Sequence, residues 1–118
     1  MDNNKKPILL PSNKLLNKIL GNRDFYNIEL YNSNAIKYSW KSSIDGSEVT
    51  DFINIYELAH KCKEWARGRY SISSYPTYFG YGASLTDAFG NSPKNLIIST
   101  KTECGAIFKA CEWIMDQN

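Results

Sequence analysis

One histidine and three cysteines stand in 118 residues, and no stretch approaches the ~18 consecutive apolar residues of a membrane span. Each scarcity removes a class of function. With His60 as the only imidazole, nucleophilic catalysis lacks the base and orienting group that it needs beside a nucleophile. His60 instead sits four residues before Glu64 on a helical stretch, where an exposed or boundary His–Glu pair forms. A dyad with Cys62 is disfavoured, because residues two apart on a helix face different ways. Cys62, Cys104 and Cys111 are odd in number and contain no Cys-x-x-Cys pair, so the close-spaced ligand pairs of a structural zinc site are missing. They read as small buried hydrophobes, and neither metal nor cofactor is expected. The opening MDNNKKPILLP offers only Ile8-Leu9-Leu10 between prolines, too short for the apolar region of a signal peptide, which predicts a cytoplasmic protein.

Charge is equally thin. The net charge is +2, and it is unevenly spread: Lys5, Lys6, Lys14, Lys18 and Arg23 against Asp2 give residues 1–23 a charge of +4, leaving −2 for the rest. Five spaced cations fall short of the dense stripe of a protein whose affinity rests on neutralising many phosphates. Residues 1–10 read as a basic N-terminal segment ahead of the fold. A second cluster, Lys61, Lys63, Arg67 and Arg69, lies at and just beyond the end of a predicted helix, where cations complement the negative end of the macrodipole.

What is present is the pattern of one ordinary globular domain spanning 1–118, 42% hydrophobic and 22% charged. Three helices announce themselves. Ser12 can cap a short helix carrying Leu15, Leu16, Ile19 and Leu20 up to Gly21. Asn54 and Glu57 form a capping-box variant before Ile55, Leu58, Ala59, Cys62, Trp65 and Ala66, and the helix ends at Gly68. The third runs over about 102–116, with Thr100 and Glu103 at capping-box spacing and an apolar sector of Ile107, Phe108, Cys111, Trp113, Ile114 and Met115. That sector is wider than one contact face needs, which leaves open a homodimer through this helix.

Between the first two helices the period changes to two. Tyr26, Ile28 and Leu30, then Ile36, Tyr38 and Trp40, read as a hairpin turned at Asn32-Ser33-Asn34. Asp45-Gly46 suits a tight type I′ turn into a strand from Val49 to Ile53. Further strands are predicted from Tyr70 to Ser73 and from Asn95 to Ser99. The order α-β-β-β-α-β-β-α predicts an α+β fold, with a mainly antiparallel sheet of about five strands and three helices packed on it.

Residues 74–91 fit neither period. SYPTYFGYG puts four rings into nine residues without a charge, and between Arg69 and Lys94 the only charge is Asp87. The stretch reads as a long connection, and connections of that length are often functional. Tyrosine among serine and glycine is a contact-surface composition, because Tyr gives large amphipathic area at low rotamer cost while Ser and Gly let the backbone fit. Tyr75, Tyr78, Phe79, Tyr81 and Phe89 are the candidate partner-binding residues. A competing reading has Tyr78, Phe79 and Tyr81 in an extra strand or packed back on the domain. Gly80-x-Gly82 lacks the third glycine and the helix of a nucleotide loop, and the stretch lacks the cations of a base-stacking groove.

Three blocks, LPSNKLLNKILG at 10–21, INIYELAHKCKEWA at 53–66 and AIFKACEWI at 106–114, resemble a group of small uncharacterised proteins encoded by prophages and related mobile elements of Campylobacter-like bacteria. The blocks span most of the chain. The departure is Cys104-Gly105, where that group has a Pro-Glu-like helix opening. The resemblance supplies no catalytic motif. It implies a phage context, in which small accessory proteins often bind a host protein, including inhibitors of CRISPR nucleases and other defence systems. The leading expectation is therefore a non-enzymatic protein acting by protein–protein binding on a host or phage protein, without a membrane partner. The alternative is a nucleic-acid-binding regulator using the basic N-terminal segment and the Lys61–Arg69 cluster.

Overall fold

The computed structural model describes residues 9–94 and 96–117. The basic segment at 1–10 therefore lies largely outside the described residues, Lys5 and Lys6 included. Nine elements follow in order: α1 (Asn13–Leu20), β1 (Tyr26–Asn32), β2 (Ala35–Lys41), β3 (Glu48–Asn54), α2 (Ile55–Ala66), β4 (Ser71–Pro76), β5 (Tyr81–Thr86), β6 (Ser99–Thr100) and α3 (Glu103–Asp116). The class is α+β. The expected single sheet of about five strands is instead two three-stranded antiparallel sheets, β1-β2-β3 and β4-β5-β6, and the order gains a strand before α3. No helix among the described residues is long and apolar enough to cross a membrane.

The helix starts follow from their capping side chains. Ser12 Oγ accepts from Leu15 N at 3.0 Å, and Asn54 Oδ1 accepts from the amides of Tyr56 and Glu57 at 2.8 and 3.2 Å. For α3 the cap is Thr102, whose Oγ1 accepts from Gly105 N at 3.0 Å; the Thr100 hydroxyl, expected in that role, donates to the Thr102 carbonyl instead. Gly105 thus opens the helix rather than interrupting it. A Cβ there would lie 2.9 Å from the capping oxygen and 3.2 Å from Leu9 Cβ.

α3 is the core of the molecule. Phe108, Ala110, Cys111 and Ile114 are fully buried, with sheet β4-β5-β6 against one side and α1 and α2 against the other. The wide apolar sector read from the sequence is thus occupied inside the chain, and Trp113 packs edge-on to Tyr70 at 5.8 Å. This leaves the helix little apolar surface for a second copy. The N-terminus of α1 is fastened to it by Glu112, whose two carboxylate oxygens accept from Ser12 N and Ser12 Oγ, both at 2.8 Å.

In the first sheet Ile36 pairs with Ile53 on the core side, and Phe25 stands edge-on to Tyr38 and Trp40 at 5.2 and 5.5 Å. The expected alternation holds in burial, Tyr26, Ile28 and Leu30 being half-buried and Asn27 and Glu29 exposed. Asn27 takes φ +52° and the register shifts between Tyr26 and Glu29, so Tyr26 pairs with Ser39 and donates to Glu48 Oε1 at 2.8 Å. The Asp45-Gly46 turn is wider than the tight hairpin expected. Residues 42–47 form the loop, closed by Ser42 N to Ser47 O at 2.8 Å, and Asp45 Oδ1 accepts from both Ser47 N and Ser47 Oγ. Those bonds hold the Asp45 carboxyl below its ordinary pKa.

Candidate protein-contact surface

The stretch expected to be a long connection is mostly a second hairpin. β4 and β5 pair from Ser71–Thr86 at one end to Pro76–Tyr81 at the other, and Thr77 N donates to Gly80 O at 2.8 Å across the four-residue tip. Alternation sorts the strands cleanly. Ile72, Ser74, Ala83 and Leu85 face α3, where Ser74 Oγ donates to Glu103 Oε2 at 2.6 Å. Ser71, Ser73, Tyr75, Gly82, Ser84 and Thr86 form the opposite face, which carries no charge. β5 is faint in the sequence because Tyr81, Ala83 and Leu85 are a weak inward pattern; of the competing extra strand of Tyr78, Phe79 and Tyr81, only Tyr81 is in it. Of the strand predicted over 95–99, residue 95 lies outside the described residues and 96–98 are irregular; Ser99 and the next residue, Thr100, are the strand, and they pair with Gly82 and Tyr81. Leu96 and Ile98 still pack on the core, while Ile97 is exposed.

Both glycines of Gly80-x-Gly82 have packing reasons. A Cβ on Gly80 would overlap the carbonyl oxygen of Thr100, so only glycine lets β6 lie against the hairpin here. Gly82 lies beneath the ring of its cross-strand partner Tyr75, and a Cβ there would come within 2.9 Å of the ring carbons. An aromatic ring over a strand glycine shields backbone that has no side chain of its own. That contact holds Tyr75 flat on the sheet, 44% exposed.

The structure divides the five candidate rings. Tyr78 and Phe79 stand at the hairpin tip, 93% and 86% exposed, edge-on to one another at 4.9 Å. Tyr75 adjoins them on the outer face. Tyr81 is half-buried and packs against the core. Phe89 is 87% exposed but belongs to a separate turn, in which Asp87 Oδ1 accepts from Phe89 N and Asn91 N, both at 2.9 Å. That turn follows Thr86, five strand steps or about 17 Å from the tip end of β5. One patch therefore comprises Tyr78, Phe79, Tyr75 and the serine-threonine face behind them. The hydroxyl residues were not singled out from sequence, although Ser71-x-Ser73-x-Tyr75 and Gly82-x-Ser84-x-Thr86 keep the period that would have shown them.

The remaining candidates occupy other places. His60 Nε2 lies 3.6 Å from Glu64 Oε1 on the exposed side of α2, the pairing expected from their spacing. Arg69, from the basic cluster, is turned toward α3, its guanidinium donating to the Ile114 carbonyl at 3.5 Å. All three cysteines are buried and free. Cys111 Sγ donates to the Cys62 carbonyl at 3.5 Å. The contact with Cys111, reinforced by burial, pushes the Cys62 thiol far above its ordinary pKa. Burial, with the Glu103 carboxylate, pushes Cys104 up to about 11. Thiols in this state are protonated at neutral pH and poor nucleophiles. Among the described residues no group of three or more His, Cys, Asp or Glu is placed to hold a metal ion. Comparison with protein-family models, with curated proteins and with solved structures finds no match to this chain.

Proposed function

We propose that this protein acts by binding another protein through the tip and outer face of the β4–β5 hairpin. The observation that carries the reading is the pair Tyr78 and Phe79, nearly fully exposed at the end of a charge-free hairpin. Large exposed rings are the usual anchors of a protein interface, and Ser, Gly and Tyr around them supply adaptable hydrogen bonding without the desolvation cost of charges. Burying both rings removes about 300 Å² from water, a gross gain of about 7 kcal/mol at ~25 cal/mol per Å². Association itself costs at least about 4 kcal/mol, so the tip alone supports only weak binding. Tyr75 and the hydroxyl face must join it to reach the roughly 800 Å² per partner of a stable complex.

The resemblance to prophage-encoded proteins supports a phage context, and within it we read the protein as a non-enzymatic accessory factor. The partner is then a host or phage protein in the host cytoplasm, with a defence component such as a CRISPR nuclease as the leading class. The test is a pull-down from host lysate with wild type and a Tyr78→Ser/Phe79→Ser variant, followed by titration of the purified partner. Tyr81 is left intact, since its ring helps hold the fold. Loss of a stoichiometric partner with an unchanged melting temperature supports the proposal. Retention of that partner by the double variant overturns it.

A further inference from the structure

A second surface, remote in sequence from the hairpin, has a different chemistry. Between α1 and the end of the first sheet closed by the 42–47 loop runs a groove of two adjoining cavities that share Asn22. One, of about 270 Å³, is lined by Lys14, Asn17 and Lys18; the other, of about 600 Å³, has Arg23, Trp40 and Lys41 in its walls. Four cations line the two cavities against one carboxylate, Asp24. None of the four has an ion-pair partner among the described residues. Lys14 has no local reason to be cationic: it is the second residue of α1, where the positive end of the helix dipole disfavours it, and Lys18 one turn later repels it.

The centre of the groove is preorganised. Asn17 Oδ1 accepts from Arg23 N at 3.1 Å and from Phe25 N at 3.3 Å, while its Nδ2 donates to the Asn13 carbonyl at 2.9 Å. One half-buried amide thus ties the α1–β1 connection to the helix. Arg23, so held, lies over the Trp40 ring with Cζ 5.3 Å from its centroid, and Trp40 is itself steadied by Phe25 and Tyr38. A guanidinium on a fixed indole keeps its fork of donors for a phosphate or offers its plane to a base, and the lysines on either side continue the positive track.

We infer that this groove binds single-stranded nucleic acid, with Lys14, Lys18, Arg23 and Lys41 on successive phosphates and the Arg23–Trp40 pair against a base. A concave track with an aromatic–guanidinium platform is the arrangement that single strands use. Four phosphate contacts are too few for tight duplex binding at physiological salt.

The probe is a short fluorescein-labelled oligothymidylate, with binding read by anisotropy. With four contacts at about 0.7 in log–log slope each, affinity falls roughly fifty-fold between about 50 and 200 mM salt. Lys14→Glu/Lys41→Glu removes half of the contacts and reverses their sign, and weakens binding at least tenfold at the lower salt. Glutamate at position 14 suits the start of α1, so the variant folds, which circular dichroism checks. Lys61→Glu/Lys63→Glu and Tyr78→Ser/Phe79→Ser leave oligonucleotide binding unchanged. Four results overturn the inference: no binding at low salt, equal binding by the groove variant, loss of binding in the Lys61/Lys63 variant, or tighter binding to a duplex of the same length.

Discussion

Replacing Gly80 with alanine tests the junction on which the hairpin stands. The Cβ would be driven into the Thr100 carbonyl oxygen and would crowd Thr100 C at 3.3 Å, with Lys101 Cα in ordinary contact at 3.6 Å. All three are main-chain atoms, so no rotamer change relieves the overlap, and β6 must move away from β5. Overpacking of this kind costs about 1–3 kcal/mol. Separating the strands also sacrifices the two-residue pairing of Tyr81 with Thr100 and Gly82 with Ser99, at about 1 kcal/mol per backbone hydrogen bond. A total of at least about 3 kcal/mol at roughly 4 °C per kcal/mol lowers the melting temperature by at least about 12 °C. Thermal unfolding followed by circular dichroism measures it. Gly68→Ala serves as the control, because a Cβ there meets nothing within 4 Å. Gly82→Ala falls between the two, since its obstacle is the Tyr75 ring, a side chain that can swing aside at the expense of its contact. If Gly80→Ala melts within about 2 °C of the Gly68 control, β6 does not lie where its pairing places it, and the packing account of Gly80-x-Gly82 fails.

Other perturbations read other parts of the molecule. Phe108→Ala empties the fully buried centre of α3 and costs about 3–5 kcal/mol, measured by urea denaturation; a loss below about 1 kcal/mol contradicts its central position. Glu112→Gln weakens the two bonds to Ser12 and costs about 1 kcal/mol, with the change confined to α1 amides in hydrogen exchange. For Cys104 the folded pKa of about 11 lies above the ordinary value of 9.0, so the folded state holds a proton that the unfolded chain releases first. Its contribution to stability is complete below pH 9 and is lost as pH rises towards 11. Subtracting the pH profile of Cys104→Ala from that of wild type isolates it, and a difference that is flat across this window refutes the assignment. Native protein resists alkylation by iodoacetamide at pH 8 at all three thiols, and rapid labelling of any of them would show that α3 opens.

The two surfaces differ in kind, and the difference makes them separable. The hairpin face is uncharged and flat with two projecting rings, whereas the groove is concave and basic. Salt therefore acts on one and not the other: binding through Tyr78 and Phe79 changes little with ionic strength, while binding through Lys14, Lys18, Arg23 and Lys41 weakens steeply. A single titration at two salt concentrations assigns a given partner to its surface.

The helices were legible in the sequence because their signals are local. Ser12 and Asn54 cap the amides two or three residues ahead of them, and the apolar period of 55–66 states which side of α2 is buried. The α+β class and the three strands before α2 follow from equally local alternation. Other features depended on residues far apart in the chain. The register shift at Asn27 paired Tyr26 with Ser39 and let it meet Glu48, and the cap of α3 moved from Thr100 to Thr102 once Thr100 was drawn into pairing with Tyr81. β5 gives little hydrophobic contrast because Gly82, Ala83 and Ser84 fill its middle, and only Thr100 and Tyr75 reveal why Gly80 and Gly82 are there.

By itself the sequence determined that a charge-free, ring-rich segment exists near 74–91, because composition needs no coordinates. Tertiary structure alone decided that Tyr78 and Phe79 project while Tyr81 packs inward and Phe89 sits at the other end of the hairpin. Exposure and proximity are set by strand pairing, which sends neighbours to opposite faces and separates residues by 3.4 Å per step. The same holds for Arg23 and Trp40. They lie seventeen positions apart and carry no shared motif, and they meet only because Asn17 fixes the turn that brings one over the other.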